Sequence, residues 1–384
     1  MSKGLIVGID MIPFRRYPDR TVEQLGGEAA LLALADAGLS IRDVQALYCG
    51  CSLQANSMVG QRILRQIGEH GMPVLNVTNG CATGASAFRE AVLAVESGRH
   101  DVALAVGVEQ MARGLIEMPG RPTGFREEGA IGTITTPSMF AQAGLVHSAQ
   151  YGTTFEQFAK VAVKNHHHAI LNDKAYVRRE TPLEEVMASD MIAYPNTKLM
   201  CSINIDGAAA AVVCSEAYAR KHGLMGRAVR VRTAASLSSV YTDIEDGLTD
   251  FSEVTRATAK LAYESAGIDV KDIDLVELHD CFATAELLHY ENLALCGLGE
   301  AGALIDSGET AHGGRIPVNV SGGLLSKGHP LGATGIANLY ELCLHLRDEA
   351  GARQVEGARI GLAHIVGGII DYGSACAVHV LERA

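Results

Sequence analysis

"MPVLNVTNGCATGASAFREAVLAVESG", residues 72–98, decides how this chain folds. Its first nine residues are an apolar run closed by Asn79 and Gly80, which predicts a buried strand. The remainder carries helical periodicity and stops at Gly98. Strand and helix meet with almost no loop between them, and Cys81 sits on the joint. At a helix start, unpaired N–H groups and the positive end of the dipole favour a thiolate. Gly80 and Gly84 permit a sharp turn and close approach by another group. Two readings of Cys81 stand: a nucleophile, or a buried structural cysteine that starts a helix.

The same rhythm recurs in both directions. Strands are predicted over 4–10, 44–51, 101–111 and 203–215, and helices over 21–40 and 153–171. The first helix opens on a Thr21/Gln24 capping pair and stops at Gly38, and the second opens on Thr153/Glu156. From 112 to 150 the pattern dissolves into Gly, Pro and Thr, as in a lid or binding loop. Near 250 the plan restarts. A helix (251–266), a strand (273–278), a helix (283–295), a strand (315–323), a helix (336–350) and strands over 358–368 and 374–383 follow. Apolar strands alternating with helices predict an α/β fold, with a parallel or mixed sheet covered on both faces. The shared rhythm of the halves predicts pseudo-duplication.

The 384 residues are 48% apolar and 20% charged, with a formal net charge of −12. No Lys/Arg run is present to neutralise a phosphate backbone, so nucleic acid is not an expected partner. No apolar run reaches the ~20 residues a membrane span needs. No secretory leader opens the sequence, and Glu382-Arg383-Ala384 is not a peroxisomal address. The expectation is a cytoplasmic protein whose nine cysteines stay reduced.

Two more strand–helix turns carry reactive residues. "KGHPLGATG" (327–335) holds His329 between Gly328 and Pro330, and "LVELHDCFATAELL" (275–288) places His279 and Cys281 after an apolar strand. His-x-Cys is not a usual zinc spacing and no Cys-x-x-Cys pair completes it, so no metal is expected. "NHHH" (165–168) is read as a solvated helix face. A cysteine at a helix start, histidines on two other turns and a second cysteine together suggest acyl transfer through a thioester. A serine triad finds no Gly-x-Ser-x-Gly elbow.

"NGCATGAS", "HDCF" and "GGLLSKGHPLGATG" resemble the motifs of the thiolase superfamily, in its sterol-carrier-protein branch. "QYGTTFEQFAKVAVKNHHHA", "EEVMAS" and "DGAAAAV" match its style, and the resemblance runs from about 4 to 384. No lipid-carrier domain is expected after the last strand. The resemblance implies a five-layer αβαβα fold of two similar halves (1–250 and 251–384), with a loop domain at about 112–200. It implies a homodimer or larger assembly, with acyl-CoA as substrate and coenzyme A as co-substrate. Some relatives also work with a small zinc-ribbon/OB-fold partner.

By that resemblance Cys81 takes the acyl group, and His329 activates it and helps hold the thioester oxygen. His279, where many thiolases carry asparagine, supports the same oxyanion site, and Cys281 moves the proton at the α-carbon. Many thiolases place that acid/base cysteine in a C-terminal Cys-x-Gly turn. Here "AHIVGG" puts His364 in its slot, as in the sterol-carrier branch, and Cys281 takes over the duty. A second oxyanion hole is expected from the N–H of Cys81 and of Gly367 or Gly368. "GGIIDYGSACAV" is longer than the usual glycine turn, which brings Asp371 and Tyr372 toward the pocket. Cys376 is read as core. The rival readings are a CoA-ester lyase or aldolase without an acyl-enzyme, and a non-catalytic lipid-binding protein or scaffold.

Overall fold

The structure is a computed structural model that describes residues 4–114, 136–239, 251–368 and 374–384. The strands are β1 (Leu5–Met11), β2 (Ala46–Gly50), β3 (Val74–Val77), β4 (Val102–Glu109), β5 (Met191–Ala193), β6 (Asn196–Thr197), β7 (Gly207–Cys214), β8 (Val229–Ser238), β9 (Leu275–Glu277), β10 (Ile360–Gly368) and β11 (Ser374–Arg383). The longer helices are α1 (Val22–Ala37), α2 (Val59–Ile67), α3 (Thr83–Glu96), α4 (Thr136–Tyr151), α5 (Phe155–Ala169), α6 (Ser252–Ala266), α7 (Ala283–Asn292) and α8 (Leu331–Leu346).

Nine strands form one mixed sheet in the order β3-β2-β4-β7-β1-β8-β11-β10-β9, and β5 and β6 make a separate hairpin. The two halves join where β1 pairs with β8 over only two positions, Leu5 with Arg230 and Ile6 with Val229. In the first half the outer pairs β3–β2 and β2–β4 are parallel, and the inner pairs β4–β7 and β7–β1 antiparallel. On the far side of that join the sheet repeats this: β9–β10 is parallel, while β10–β11 and β11–β8 are antiparallel. A lone parallel bridge, Val276 to Val318, stands where β3 stands in the first half. Repeated pairing of this kind is the pseudo-duplication the rhythm predicted.

The buried apolar side chains form layers. One cluster joins α1 and α2 to the first half of the sheet. A second joins α6 and α7 to the other half. Between them α3 and α8 pack on each other and on both halves. Glycine makes that central contact: a Cβ on Gly84 would lie 2.5 Å from the Gly332 carbonyl oxygen, and one on Gly335 would lie 2.4 Å from Ala85 N. Backbone cannot yield as a side chain can. We expect Gly84→Ala to cost ~1–3 kcal/mol, read as a lower urea midpoint with unchanged m-value. A midpoint equal to wild type would remove this account of the helix pair.

Several expectations need correction. Residues 136–150, read as irregular, belong to the helix α4. The cap of α5 is Thr154 with Gln157, one residue after the expected pair: Gln157 Oε1 accepts from Thr154 N at 2.9 Å. The run 315–323 is no strand beyond its bridge at Val318, because Asn319 turns into the left-handed region at φ 55°. The helix 336–350 begins earlier, at Leu331. "NHHH" is not a solvated face, since only His167 is exposed. Helix α5 is covered on two sides: His166 Nδ1 meets Thr181 Oγ1 at 2.8 Å, and His168 Nδ1 meets the Asn319 carbonyl at 3.0 Å. The Thr21/Gln24 cap and the left-handed Gly38 stop are present as read. No described helix is long and apolar enough to cross a membrane.

Candidate active site

The pseudo-symmetry brings together the start of α3, which follows β3, and the start of α8. Cys81 lies two residues before the first helical residue of α3, and His329 two residues before that of α8. His279 arrives from the loop after β9. One ligand-forming atom from each of Cys81, His279 and His329 lies within 4.8 Å of the others. The two imidazoles meet edge to face, with centroids 5.4 Å apart. Cys81 is partly exposed, and both histidines are buried.

Hydrogen bonds set the tautomer of His329. Thr334 Oγ1 donates to the Pro330 carbonyl at 2.9 Å and sits 2.8 Å from His329 Nδ1. Its only hydroxyl proton being used, Thr334 must accept from Nδ1–H. Nε2 therefore carries a lone pair, and it is buried without a partner. His279 has both ring nitrogens buried and unpartnered. Buried polar atoms left unpaired are costly, so these nitrogens are open to a polar group of a substrate.

Burial overrides the helix-start effect on Cys81. Desolvation pushes its thiol up to about 12, against the pull of its own backbone N–H, and Glu109 adds to the rise. Burial, with the Lys327 charge, pushes His329 down to about 3. The resting pair is thus a neutral thiol and a neutral imidazole, not the thiolate expected from the helix start alone. His279 is also held well below the ordinary histidine range by burial, then by His329 and His289. Cys281 is buried, and its thiol is pushed well up by burial first and by the Cys81 charge second.

His364 and the glycine turn of β10 lie against the same turns. His364 Nδ1 accepts from the His279 backbone N–H at 3.5 Å, and its ring meets His289 at 4.4 Å between centroids. A Cβ on Gly80 would lie 2.7 Å from Gly368 N, and one on Gly367 would lie 2.0 Å from the Asn79 carbonyl. The glycine turn of β10 therefore presses on the Cys81 turn. Asp371 and Tyr372 lie outside the described residues. Cys376 is core, fully buried in β11.

A polar scaffold that the motifs did not disclose holds these turns. Asp280 accepts from Leu324 N, Leu325 N and Asn165 Nδ2 at 2.7, 3.2 and 2.8 Å. Burial, then Glu286, pushes its carboxyl well above the usual range. Glu286 pairs with Lys164 at 2.9 Å and accepts from Asn165, Asn319 and Tyr290. Asn319 Oδ1 then accepts from Leu278 N at 2.8 Å, fixing the approach to His279. In the first half Glu109 accepts from Ser52, Leu53 and Gly332 N–H groups, tying that half to the start of α8. Buried charges and amides in an apolar sequence context were the only available signal for these residues.

Residues 5–191 match the family description "Thiolase, N-terminal domain", and residues 235–383 match "Thiolase C-terminal domain-like". Sterol carrier protein 2 of Bos taurus is 39% identical over 388 residues, covering 95% of this chain and 70% of that protein. The acetyl-CoA acetyltransferase of Methanothermobacter thermautotrophicus is 38% identical over 394 residues, covering 100% of each chain. A solved structure described as "Ltp2-ChsH2(DUF35) aldolase" matches with a TM-score of 0.84 and 26% identity, over 99% of this chain and 98% of that one.

Proposed function

Since the chain belongs to the thiolase family, we propose that it cleaves a 3-oxoacyl-CoA with coenzyme A, or runs the reverse Claisen condensation, through an acyl group on Cys81. The observation that carries this reading is the convergence of Cys81, His279 and His329 with ring nitrogens left unpartnered.

His329 Nε2 takes the Cys81 proton as sulfur attacks the 3-oxo carbon. The N–H groups of Cys81 and of Gly367 or Gly368 hold the oxyanion of that addition. Breaking the Cα–Cβ bond leaves an enolate on the departing thioester. His329 Nε2–H, newly formed, and a ring N–H of His279 then hold the enolate oxygen. One such donor is worth about 10²–10³ in rate. Cys281, a thiol because it is buried, protonates the departing carbon. The Cys281 thiolate then takes the proton of the coenzyme A thiol, whose sulfur accepts the acyl group, and the departing Cys81 sulfur recovers its proton from His329.

Incubation with acetoacetyl-CoA and with longer or aromatic 3-oxoacyl-CoA, followed by acid quench, tests this. We expect a mass gain of one acyl group on the Cys81 peptide and its removal by free CoA. No adduct across the series would overturn the reading. The aldolase likeness at a TM-score of 0.84 favours a second reading, carbon–carbon cleavage without an acyl-enzyme. That reaction would give product with no mass gain.

The DUF35 named with that aldolase supports a zinc-ribbon/OB-fold partner for this chain as well, testable by co-purification. Strand β3 ends the sheet with Leu75 half exposed. An open edge of that kind supports self-association, read as dimer mass in light scattering.

A further inference from the structure

From the same cluster we infer that Cys81, His279 and His329 form a site for a thiophilic divalent cation, Zn²⁺ or Cd²⁺, and that the ion closes the acyl-transfer site. The inference about binding stands on geometry alone; the inference about closure also rests on the acyl-enzyme reading above.

Sequence spacing speaks against a metal here because zinc motifs are recognised as local pairs. The fold supplies instead three ligands from residues 81, 279 and 329. Their donor atoms already lie within 4.8 Å of one another. With Zn–S near 2.3 Å and Zn–N near 2.0–2.1 Å, a tetrahedral site needs edges of about 3.3–3.7 Å. Side-chain rotations of about 1 Å close that gap.

The donors are also uncommitted. His329 Nε2 and both nitrogens of His279 have no partner, although both rings are buried. His329 is oriented as ligating histidines are, its other nitrogen held by a hydrogen-bond acceptor, here Thr334 Oγ1 at 2.8 Å. Cys81 is partly exposed, which leaves an entry path and a fourth position for water. Three protein ligands and one open position suit Zn²⁺ and Cd²⁺ rather than Mg²⁺ or Ca²⁺, which take oxygen ligands.

On binding, the Cys81 S–H bond breaks, its proton leaves to solvent, and the sulfur pair forms the metal–sulfur bond. Two imidazole lone pairs complete the protein ligands. No oxidant or reductant is required. The sulfur pair that would attack a 3-oxoacyl carbonyl is then held by the ion, so metal and acyl group exclude each other at Cys81.

The probe is Cd²⁺ alone, titrated into chelator-treated protein and followed by the ultraviolet sulfur-to-cadmium absorption. We expect one Cd²⁺ per chain carrying that absorption. Cys81→Ser should abolish it, and His279→Gln should weaken Cd²⁺ binding by about 100-fold. Thr334→Val, which acts through His329, should weaken it by about 10–100-fold. Zn²⁺ should block acylation of Cys81 until chelator is added, and a preformed acyl group should block Cd²⁺. An absorption unchanged in Cys81→Ser would assign the ion to another of the nine cysteines and overturn the inference. So would simultaneous acylation and Cd²⁺ binding. Acylation without any Cd²⁺ absorption overturns the metal site and spares the function; Cd²⁺ absorption without acylation does the reverse.

Discussion

At pH 5 the protein should have lost on the order of 10 kcal/mol of its stability at pH 7.5, enough to unfold it. Seven buried histidines carry this expectation. Burial pushes His166 and His379 down to about 4, and His289 and His329 down to about 3. His168, His279 and His364 are held well below their ordinary range by the same cause. All seven are neutral in the folded state at pH 5, whereas the unfolded chain protonates near 6.5. A depressed histidine supports folding fully above about 6.5 and loses that support as pH falls toward its folded value. At pH 5 each of the four held at about 3 to 4 forfeits ~2 kcal/mol and the other three add to the loss, against a whole stability of roughly 5–15 kcal/mol. Asp280 and Glu109, raised by burial, act in the opposite direction. Two carboxyls do not offset seven imidazoles. Denaturant midpoints from pH 7.5 to 5 provide the check: the fall should begin near 6.5, and a flat profile would contradict the buried-histidine account.

Cys281→Ala and Cys81→Ala should divide the reaction in two. Cys81→Ala should carry no acyl group at any substrate concentration, because the sulfur that accepts it is gone. Cys281→Ala should still be acylated by a simple acyl-CoA, a step that moves no α-proton. Its exchange of α-protons in deuterated buffer should fall by ~10²–10⁴, the usual worth of a placed acid or base. Both thiols stay protonated at rest because both are pushed up by burial. Their roles therefore differ through their neighbours: Cys81 lies beside the free Nε2 of His329, while Cys281 follows the loop fixed by Asp280. Equal loss of both steps in Cys281→Ala, measured by mass gain and by deuterium uptake, would remove this division.

Much of the fold was legible because periodicity is local. The strand at 74–77, the joint at Cys81 and the helix to Glu96 follow from a handful of neighbouring residues, and so does the Gly38 stop. What local reading missed depended on distant partners. Helix α4 was obscured by the Gly- and Thr-rich residues before it. Asn319 broke an apolar strand pattern because its amide is needed by Glu286 and by the Leu278 N–H. His166 and His168 look solvated in sequence, yet Thr181 and Asn319 receive them inside.

By itself the sequence determined the alternation of strands and helices, the doubling of the plan, and the residue types set on the turns. Those follow from side-chain periodicity and from what glycine and cysteine do at a helix start. Tertiary structure alone decided the charge state of those residues. Desolvation is the sum of everything packed around a group, and nothing next to Cys81 in the chain reports it. Burial of Cys81 turned an expected thiolate into a thiol, and Thr334 left the His329 lone pair free to receive its proton.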